Sequence, residues 1–219
     1  MFENKNILIF DFETTGLSST KDEILEIGAL KLDLIDGKFK VIDELEMILN
    51  TNKEISETIT KITGITNEMQ KELGVSQQEG FYKLDSLIDE NTILIAYNIQ
   101  FDLGFLEMFY KNNFDPNFEI KNDCIDVMAI YKDRHKYPHR LESAVSKYQV
   151  NAPNTHRALD DVIATYELIK KLQEEKPNLK DYINVIGFNP KYGVNGKKLP
   201  HVKYVAQYGG RREIEKLKA

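Results

Sequence analysis

Hydrophobic and polar positions along the first part of the chain predict buried strands joined by a tight turn. Residues 6–13 are apolar at nearly every position until acids appear at their end, a pattern typical of a central strand covered on both faces. Residues 24–33 and 40–49 also favour strands. Asp36-Gly37 is the predicted turn between these two strands, which would then pair as a hairpin.

Later in the chain, strands alternate with segments whose apolar residues recur at helical spacing. A strand is predicted over residues 92–97, and a short strand leading into a helical turn over residues 123–131. Pro177 marks the expected end of the longest helix. The predicted helices cover residues 56–62, 76–89, 101–110, 141–148 and 157–175. Hairpin strands followed by this alternation predict an α/β fold, a mixed sheet with helices packed on its faces.

Length and composition describe a soluble globular protein with one well-buried domain, or one domain and an appendage. The chain has 219 residues, of which 42% are hydrophobic and 29% charged. No apolar stretch approaches the roughly 18 residues that a membrane span needs, and the first residues do not resemble a signal peptide. The single cysteine, Cys124, suits a reducing compartment. We therefore expect a cytoplasmic protein that does not enter the membrane.

Charge is distributed unevenly between the body of the chain and its C-terminal segment. The net charge is −6, but residues 187–219 hold eight Lys and Arg against two Glu, which leaves −12 for residues 1–186. Tyr192, Tyr204 and Tyr208 lie among these basic residues, as in segments that bind single-stranded nucleic acid. A solvated basic face, a docking segment for a partner protein, or a hairpin packed on the core are the alternatives.

Two acids end the first predicted strand. Asp11 and Glu13 are two residues apart, so on a strand they project from the same face. Adjacent carboxylates repel each other, and burial makes it costly to ionise both unless a cation joins them. Mg²⁺ and Mn²⁺ prefer carboxylate and water oxygens and are the natural partners. The alternative is a pair of solvated acids at a strand end.

A third acid, Asp102, lies where the strand over residues 92–97 gives way to a helix. Ligand sites in open α/β sheets are common at such positions. Asp is also favoured near helix N-termini because its charge complements the helix dipole. Helix capping therefore remains an alternative for Asp102.

A histidine precedes the helix predicted over residues 157–175, and two acids lie in its first turn. At about 100° per residue, Asp160 shares its face with charged residues and points to water, whereas Asp161 lines up with Ala158 at the edge of the apolar face. Asp161 is therefore the acid expected to face the strand end with its carboxylate pair. His156 precedes the helix, on a loop from which it can reach a cleft.

Four motifs in order resemble those of the DEDDh 3′→5′ exonucleases, a family that includes the epsilon proofreading subunit of bacterial replicative polymerases and the oligoribonucleases. The resemblance covers roughly residues 5–175, so residues 1–176 are predicted as an exonuclease domain and residues 177–219 as a basic C-terminal extension. The motifs are Asp11-Phe-Glu13-Thr-Thr-Gly16-Leu17, Thr63-Gly64-Ile65-Thr66, Asn98-x-x-Phe101-Asp102 and His156-x-Ala-x-x-Asp161.

The resemblance implies a ribonuclease H-like fold and a two-metal mechanism with Mg²⁺ or Mn²⁺. One metal would be held by Asp11, Glu13 and Asp161, and the second by Asp11, with Asp102 acting directly or through water. The two cations would stabilise the attacking and leaving oxygens at phosphorus. Neutral His156 would act as the general base. The products would be nucleoside 5′-monophosphates.

The resemblance also implies which residues hold the nucleotide at the 3′ end. The implied partners are single-stranded nucleic acid 3′ ends and, for a proofreading enzyme, a DNA polymerase subunit. The residues expected to bind substrate are Thr14, Thr15, Leu17, Thr63, Asn98 and Phe101, with Leu17 wedged against the last base.

DNA is the expected substrate, in proofreading or repair, but two other functions remain open. The first is a 3′→5′ exoribonuclease, which the sequence does not distinguish because 2′-hydroxyl contacts cannot be read from it. The second is a non-catalytic nucleic-acid-binding module on the same fold. Such a module would be expected to have lost one of the five core residues, and all five are present.

Overall fold

A five-stranded mixed sheet forms the centre of the molecule. The computed structural model describes residues 5–36, 38–152 and 156–217. The strands are β1 (Asn6–Thr14), β2 (Ile24–Ile35), β3 (Lys38–Ile48), β4 (Thr92–Ala96) and β5 (Cys124–Asp126). Their order is β3-β2-β1-β4-β5, with β1–β2 and β2–β3 antiparallel and β1–β4 and β4–β5 parallel. The predicted mixed sheet is confirmed.

Helices cover both faces of this sheet, as predicted. They are α1 (Glu57–Thr63), α2 (Asn67–Leu73), α3 (Gln77–Asp85), α4 (Ile99–Asn113), α5 (Val127–Arg134), α6 (Leu141–Lys147) and α7 (Ala158–Glu175). The sequence analysis missed α2, although Thr66 caps it by accepting a hydrogen bond from the Met69 N–H. At the predicted turn before β3, Asp36 has a positive φ of 54°, and Gly37 lies outside the described residues.

Strand alternation in β1 separates the core into two layers. Leu8, Phe10 and Phe12 belong to the hydrophobic cluster that includes residues of α3 and α4. Ile7 and Ile9 belong to the other cluster, which includes residues of α5 and α7. The odd-numbered side chains at the end of β1 therefore continue on the α7 side of the sheet.

The start of α7 lies directly on β2, and Gly28 makes this close approach possible. A Cβ atom at Gly28 would lie 2.3 Å from the carbonyl carbon of Ala158 and 2.4 Å from the backbone nitrogen of Leu159. These are main-chain atoms that cannot rotate away. The absence of a side chain at Gly28 thus sets how close α7 comes to the sheet.

The C-terminal segment packs on the body of the molecule. It contains a 3₁₀ helix (Leu179–Tyr182), β6 (Val185–Phe188), β7 (Lys203–Ala206) and the short α8 (Glu213–Lys216). The pair β6–β7 is parallel, so the hairpin considered in the sequence analysis is wrong. The division of the chain into an exonuclease domain and an extension stays a prediction.

Asp133 in α5 anchors the C-terminal segment. Its side chain is fully buried, and its Oδ1 accepts hydrogen bonds from the Ile214 N–H at 2.9 Å and from Gln207 Nε2 at 3.2 Å. Its Oδ2 accepts from the Tyr182 hydroxyl at 3.1 Å and from the Glu215 N–H at 3.0 Å.

Within the described ranges, no helix is long and apolar enough to cross a membrane.

Candidate active site

Three carboxylates meet where the end of β1 faces the first turn of α7. Oxygen atoms of Asp11, Glu13 and Asp161 all lie within 4.8 Å of one another. Asp11 and Glu13 share the α7 side of β1, and Asp161 follows the helix start that rests on Gly28. Local periodicity in one strand and one helix therefore brings together acids that are 150 residues apart in sequence.

Burial and mutual repulsion disfavour the ionised forms of these acids. Burial, together with the negative charges of Asp161 and Glu26, raises the pKa of Asp11 to about 8. Burial, together with the charges of Asp11 and Asp161, raises the pKa of Glu13 to about 9. The pKa of Asp161 rises to about 6, mainly through burial, while His156 opposes the rise. The group needs positive charge to ionise fully at neutral pH.

Among the described residues, one oxygen of this group has no hydrogen-bond partner. Oδ1 of Asp161 is buried and makes no hydrogen bond within the part of the chain that the structure describes. A buried acceptor without a partner is rare in folded proteins and calls for a ligand. Three converging carboxylates form the all-oxygen donor set that hard divalent cations prefer. The residues present therefore fit a divalent metal centre.

Asp102 adds a fourth carboxylate from the other side of the sheet. β4 pairs with β1 only as far as Ile9, so the later residues of β1 have no strand neighbour on that edge. Asp102 Oδ1 accepts a hydrogen bond there from the Phe12 N–H at 3.2 Å. Burial and the charge of Asp11 raise the pKa of Asp102 well above its usual value. The N-cap residue of α4 is Asn98, and Asp102 lies in the first turn of the helix, so its role at the site stays a prediction.

His156 borders the carboxylate group on the loop that leads into α7. It has a positive φ of 55°, and its Nε2 lies 3.1 Å from Glu142 Oε1. His156 and Asp161 line a cleft of about 550 Å³, here called the His156 cleft, whose walls also include Tyr97 and Arg140. An imidazole and a carboxylate thus face one solvent-filled space.

Two of the predicted substrate-binding residues line a second cleft. Leu17 is 88% exposed, and it lines with Phe101 a cleft of about 510 Å³, here called the Leu17 cleft. The Phe101 ring packs against Phe105 with centroids 5.0 Å apart. An exposed leucine opposite a fixed aromatic ring gives two apolar surfaces suited to a base.

The threonines after the acid pair shape the loop that carries Leu17. Thr14 Oγ1 donates to the Gly16 carbonyl at 2.7 Å, and Thr15 Oγ1 accepts from the Glu23 N–H at 3.0 Å. Asn98, which has a positive φ of 68°, lines the His156 cleft.

Thr63 is buried at the end of α1. Its hydroxyl donates to the Ile59 carbonyl at 3.1 Å and accepts from the Ile65 N–H at 3.1 Å. Its contribution to nucleotide binding, like that of the other five predicted substrate-binding residues, stays a prediction.

The sequence analysis missed Glu26, a fully buried acid beside the carboxylate group. Glu26 is the register partner of Glu13 in the β1–β2 pair. Its Oε2 accepts from the Ala158 N–H at 2.9 Å, and its Oε1 accepts from Arg157 Nε at 2.8 Å and also from Arg157 Nη2. Arg157 also contacts Glu46 at 3.0 Å. The sequence signal that could have identified Glu26 is its position as an acid among the apolar residues at the start of β2.

Comparisons with known proteins agree with this geometry. Residues 8–169 match the family described as Exonuclease. The chain is 35% identical over 201 residues to the PolC-type DNA polymerase III of Thermotoga petrophila, covering 86% of this chain and 14% of that protein. It is 34% identical over 184 residues to the corresponding Bacillus subtilis protein, covering 80% and 12%. The chain thus spans only about an eighth of the length of these relatives.

Solved structures of Escherichia coli exonuclease I have a similar fold. The complex of that protein with a dT13 oligonucleotide superposes with a TM-score of 0.69 and 25% identity, covering 81% of this chain and 43% of that one. A further exonuclease I structure, whose description concerns processivity, gives a TM-score of 0.68 at 24% identity and supports the fold alone.

Proposed function

Because this chain belongs to the Exonuclease family, we propose that it hydrolyses phosphodiester bonds at the 3′ ends of DNA strands and releases nucleoside 5′-monophosphates. The observation that carries this proposal is the group formed by Asp11, Glu13 and Asp161, with its unpartnered buried oxygen, beside His156. Such a group has little structural value, since it costs folding free energy unless a cation is bound.

Two Mg²⁺ or Mn²⁺ ions fit the acidic residues of this site. Asp11, Glu13 and Asp161 would hold one ion, and Asp11 with Asp102 the other. When bound, the ions would stabilise the charge that develops on the attacking and leaving oxygens at phosphorus.

His156 is the proposed general base. The imidazole takes a proton from the attacking water as the new P–O bond forms and the bond to the 3′ oxygen of the preceding nucleotide breaks. Glu142 Oε1, 3.1 Å from Nε2, orients the ring towards the cleft. The shortened strand retains a 3′ hydroxyl and can enter the next cycle.

The terminal nucleotide is proposed to lie against Leu17 and Phe101, whose apolar surfaces tolerate any base. Thr14 and Thr15 would hold the loop in place, and Asn98 and Thr63 would shape the pocket around the sugar. A proofreading or repair function on DNA is supported by the names of the relatives, which are DNA polymerases, and by the DNA oligonucleotide bound to the exonuclease I neighbour. A DNA polymerase is the partner expected for proofreading.

The test uses 5′-labelled single-stranded DNA and RNA of one sequence, incubated with Mg²⁺, Mn²⁺ or EDTA. We expect a ladder that shortens from the 3′ end, needs metal, and forms faster on DNA. Asp11→Asn and His156→Ala should abolish it, whereas Asp160→Asn, one residue from Asp161, should retain it. Failure of the parent protein to shorten either polymer would refute the proposal, and faster shortening of RNA would assign the exoribonuclease alternative.

A further inference from the structure

Exposed aromatic and cationic side chains lie on the wall of the His156 cleft and on the C-terminal loop that contacts this wall. Tyr137 and Tyr208 are 80% and 61% exposed, unusually high for tyrosine side chains in a folded protein. Arg211 lies over the Tyr208 ring, 5.0 Å from its centroid, and Arg140 lines the cleft beside Tyr137. We call Tyr137, Arg140, Tyr208 and Arg211 the aromatic-cationic rim.

The loop that carries Tyr208 and Arg211 is fixed on both sides. Gln207, which precedes it, is buried and donates from Nε2 to the Ala129 carbonyl at 2.9 Å. Within and after the loop, the Gly210 N–H donates to the Lys132 carbonyl and the Arg212 N–H to the Asp133 carbonyl, each at 2.9 Å. The backbone that carries the two side chains is therefore ordered before any ligand arrives, which lowers the entropy cost of binding.

This loop touches the wall of the His156 cleft. A Cβ atom at Gly209 would lie 2.9 Å from Cε1 and 3.0 Å from Nε2 of His139. His139 lines the cleft, and its carbonyl accepts a hydrogen bond from the Tyr97 hydroxyl at 2.8 Å. The C-terminal loop thus adjoins the cleft wall at His139 through Gly209, the residue that follows Tyr208.

The cations of the rim differ from Lys197 of the C-terminal segment, whose charge is paired. Lys197 is neutralised by Glu107 at 3.0 Å and Glu119 at 3.4 Å. Arg140 and Arg211 form no ion pair with any residue that the structure describes. A polyanion approaching the carboxylate group meets repulsion there, so unpaired cations at the entrance have a clear electrostatic use.

The geometry points to the aromatic-cationic rim as the binding surface for the single-stranded part of the substrate, upstream of the bond that is cut. This inference rests on the proposed function, in which the Leu17 cleft takes the terminal nucleotide and the strand needs a second path past Asp161. Tyr137 and Tyr208 stack on bases, and Arg140 and Arg211 contact phosphates. In the basic C-terminal segment, the loop that carries Tyr208 and Arg211 would then be the part that binds the DNA strand.

The test compares the full-length parent with the double variant Tyr208→Ala/Arg211→Gln. The matched control is Lys191→Gln/Tyr192→Ala, which removes an equivalent exposed cation–ring pair of the same segment, 5.1 Å apart. The substrates are single-stranded dT20 and the dinucleotide pdTdT, which is too short to reach the rim. Tyr208→Phe preserves the stacking surface and should behave as the parent.

We expect the KM for dT20 to rise about 5- to 20-fold in the double variant, as loss of base stacking predicts, with kcat unchanged. The salt dependence of log KM should lose about 0.7 in slope for the one charge removed. Activity on pdTdT should change less than about twofold, and the control should match the parent. An equal rise on both substrates, or in the control, would mean a general loss of structure and overturn the inference.

Binding of fluorescein-labelled dT20, measured by anisotropy in EDTA, separates this inference from the proposed function. If the parent hydrolyses nothing but binds dT20 more tightly than the double variant, the rim stands and the exonuclease assignment fails. If parent and double variant bind dT20 equally, the rim serves another partner and the inference is wrong, whatever the activity.

Discussion

The carboxylate of Glu26 accepts a hydrogen bond from the backbone N–H of Ala158 at 2.9 Å, and this contact ties β2 to the first turn of α7. Glu26 also pairs with Arg157, which immediately precedes the helix. A negative charge at a helix N-terminus complements the helix dipole and satisfies an N–H that has no partner within the helix. Asp161, one turn later, is thereby held against the end of β1.

We expect Glu26→Gln to weaken both stability and activity. The amide keeps an acceptor for Ala158 but loses the charge that pairs with Arg157, which should cost about 1–3 kcal/mol in the free energy of unfolding. The shift of α7 should lower kcat about tenfold or more, because Asp161 loses its position. Urea unfolding and the nuclease assay measure the two effects. Glu46→Gln removes the exposed partner of the same arginine and should cost far less; equal effects of the two variants would argue against the role of Glu26.

Gly28→Ala should displace α7 from the sheet. The added methyl group would lie 2.3 Å from the Ala158 carbonyl carbon, and relieving this overlap should cost about 1–3 kcal/mol or more and sharply reduce activity. Thermal unfolding is the measurement. Gly104→Ala is the matched control, because its Cβ meets only the Ser19 side chain, at 3.3 Å, and lies within a helix. Alanine there should be neutral or stabilising, and a Gly28→Ala variant as stable as this control would contradict the prediction.

The stability of the metal-free protein should fall as pH rises towards 9. Asp11 and Glu13 have raised pKa values of about 8 and 9 against ordinary values of 3.8 and 4.5. Between these limits the folded state retains protons that the unfolded state has released, so stability decreases with increasing pH. Mg²⁺ should raise Tm more at pH 8.5 than at pH 6, by about 3 °C or more.

Differential scanning fluorimetry in EDTA and in Mg²⁺ checks this pH dependence, with Asp11→Asn as the reference. That variant lacks one of the repelling charges, so in EDTA it should be more stable than the parent, and increasingly so towards pH 8.5. A difference that is constant across the pH range would contradict the assignment of the raised pKa values.

Asp133→Asn should loosen the C-terminal segment while sparing the carboxylate group. The amide nitrogen would face donors that now point at a carboxylate oxygen, and each buried donor left unpaired should cost about 1–3 kcal/mol. We expect faster proteolysis in the C-terminal segment and a raised KM for dT20, with activity on pdTdT retained. Half-buried Asp181→Asn in the same region is the control, and equal protease sensitivity of the two variants would be the contrary result.

Much of the site could be predicted because its signals are local. Period two along β1 pairs Asp11 with Glu13, and helical phase selects Asp161, so each needs only its own element. Asp102 was less certain, since its partner is the Phe12 N–H, 90 residues away, and no local rule identifies an edge that β4 leaves uncovered. Asp102 could still be identified because its motif, Asn98-x-x-Phe101-Asp102, stands in the same order along the chain as in the DEDDh exonucleases.

What could not be predicted depends on contacts between distant segments. Glu26 looked like an isolated acid in a buried strand, and only strand register with Glu13 and the approach of α7 show its use. The parallel pair β6–β7 was missed because it forms only against the body of the protein, where Asp133 provides four hydrogen-bond acceptor contacts. The basic composition of the C-terminal segment gave no indication that its backbone and side chains would donate hydrogen bonds to Asp133.

The contact at Gly28 is made between main-chain atoms, which have no rotamers to choose between. The separation between the two halves of the carboxylate group is therefore set by van der Waals contact between main-chain atoms, with no side chain at position 28 acting as a spacer. Exchanging one aliphatic side chain for another in the neighbouring core changes none of these main-chain atoms. The spacing between Asp161 and the end of β1 is therefore most sensitive to a side chain added at position 28.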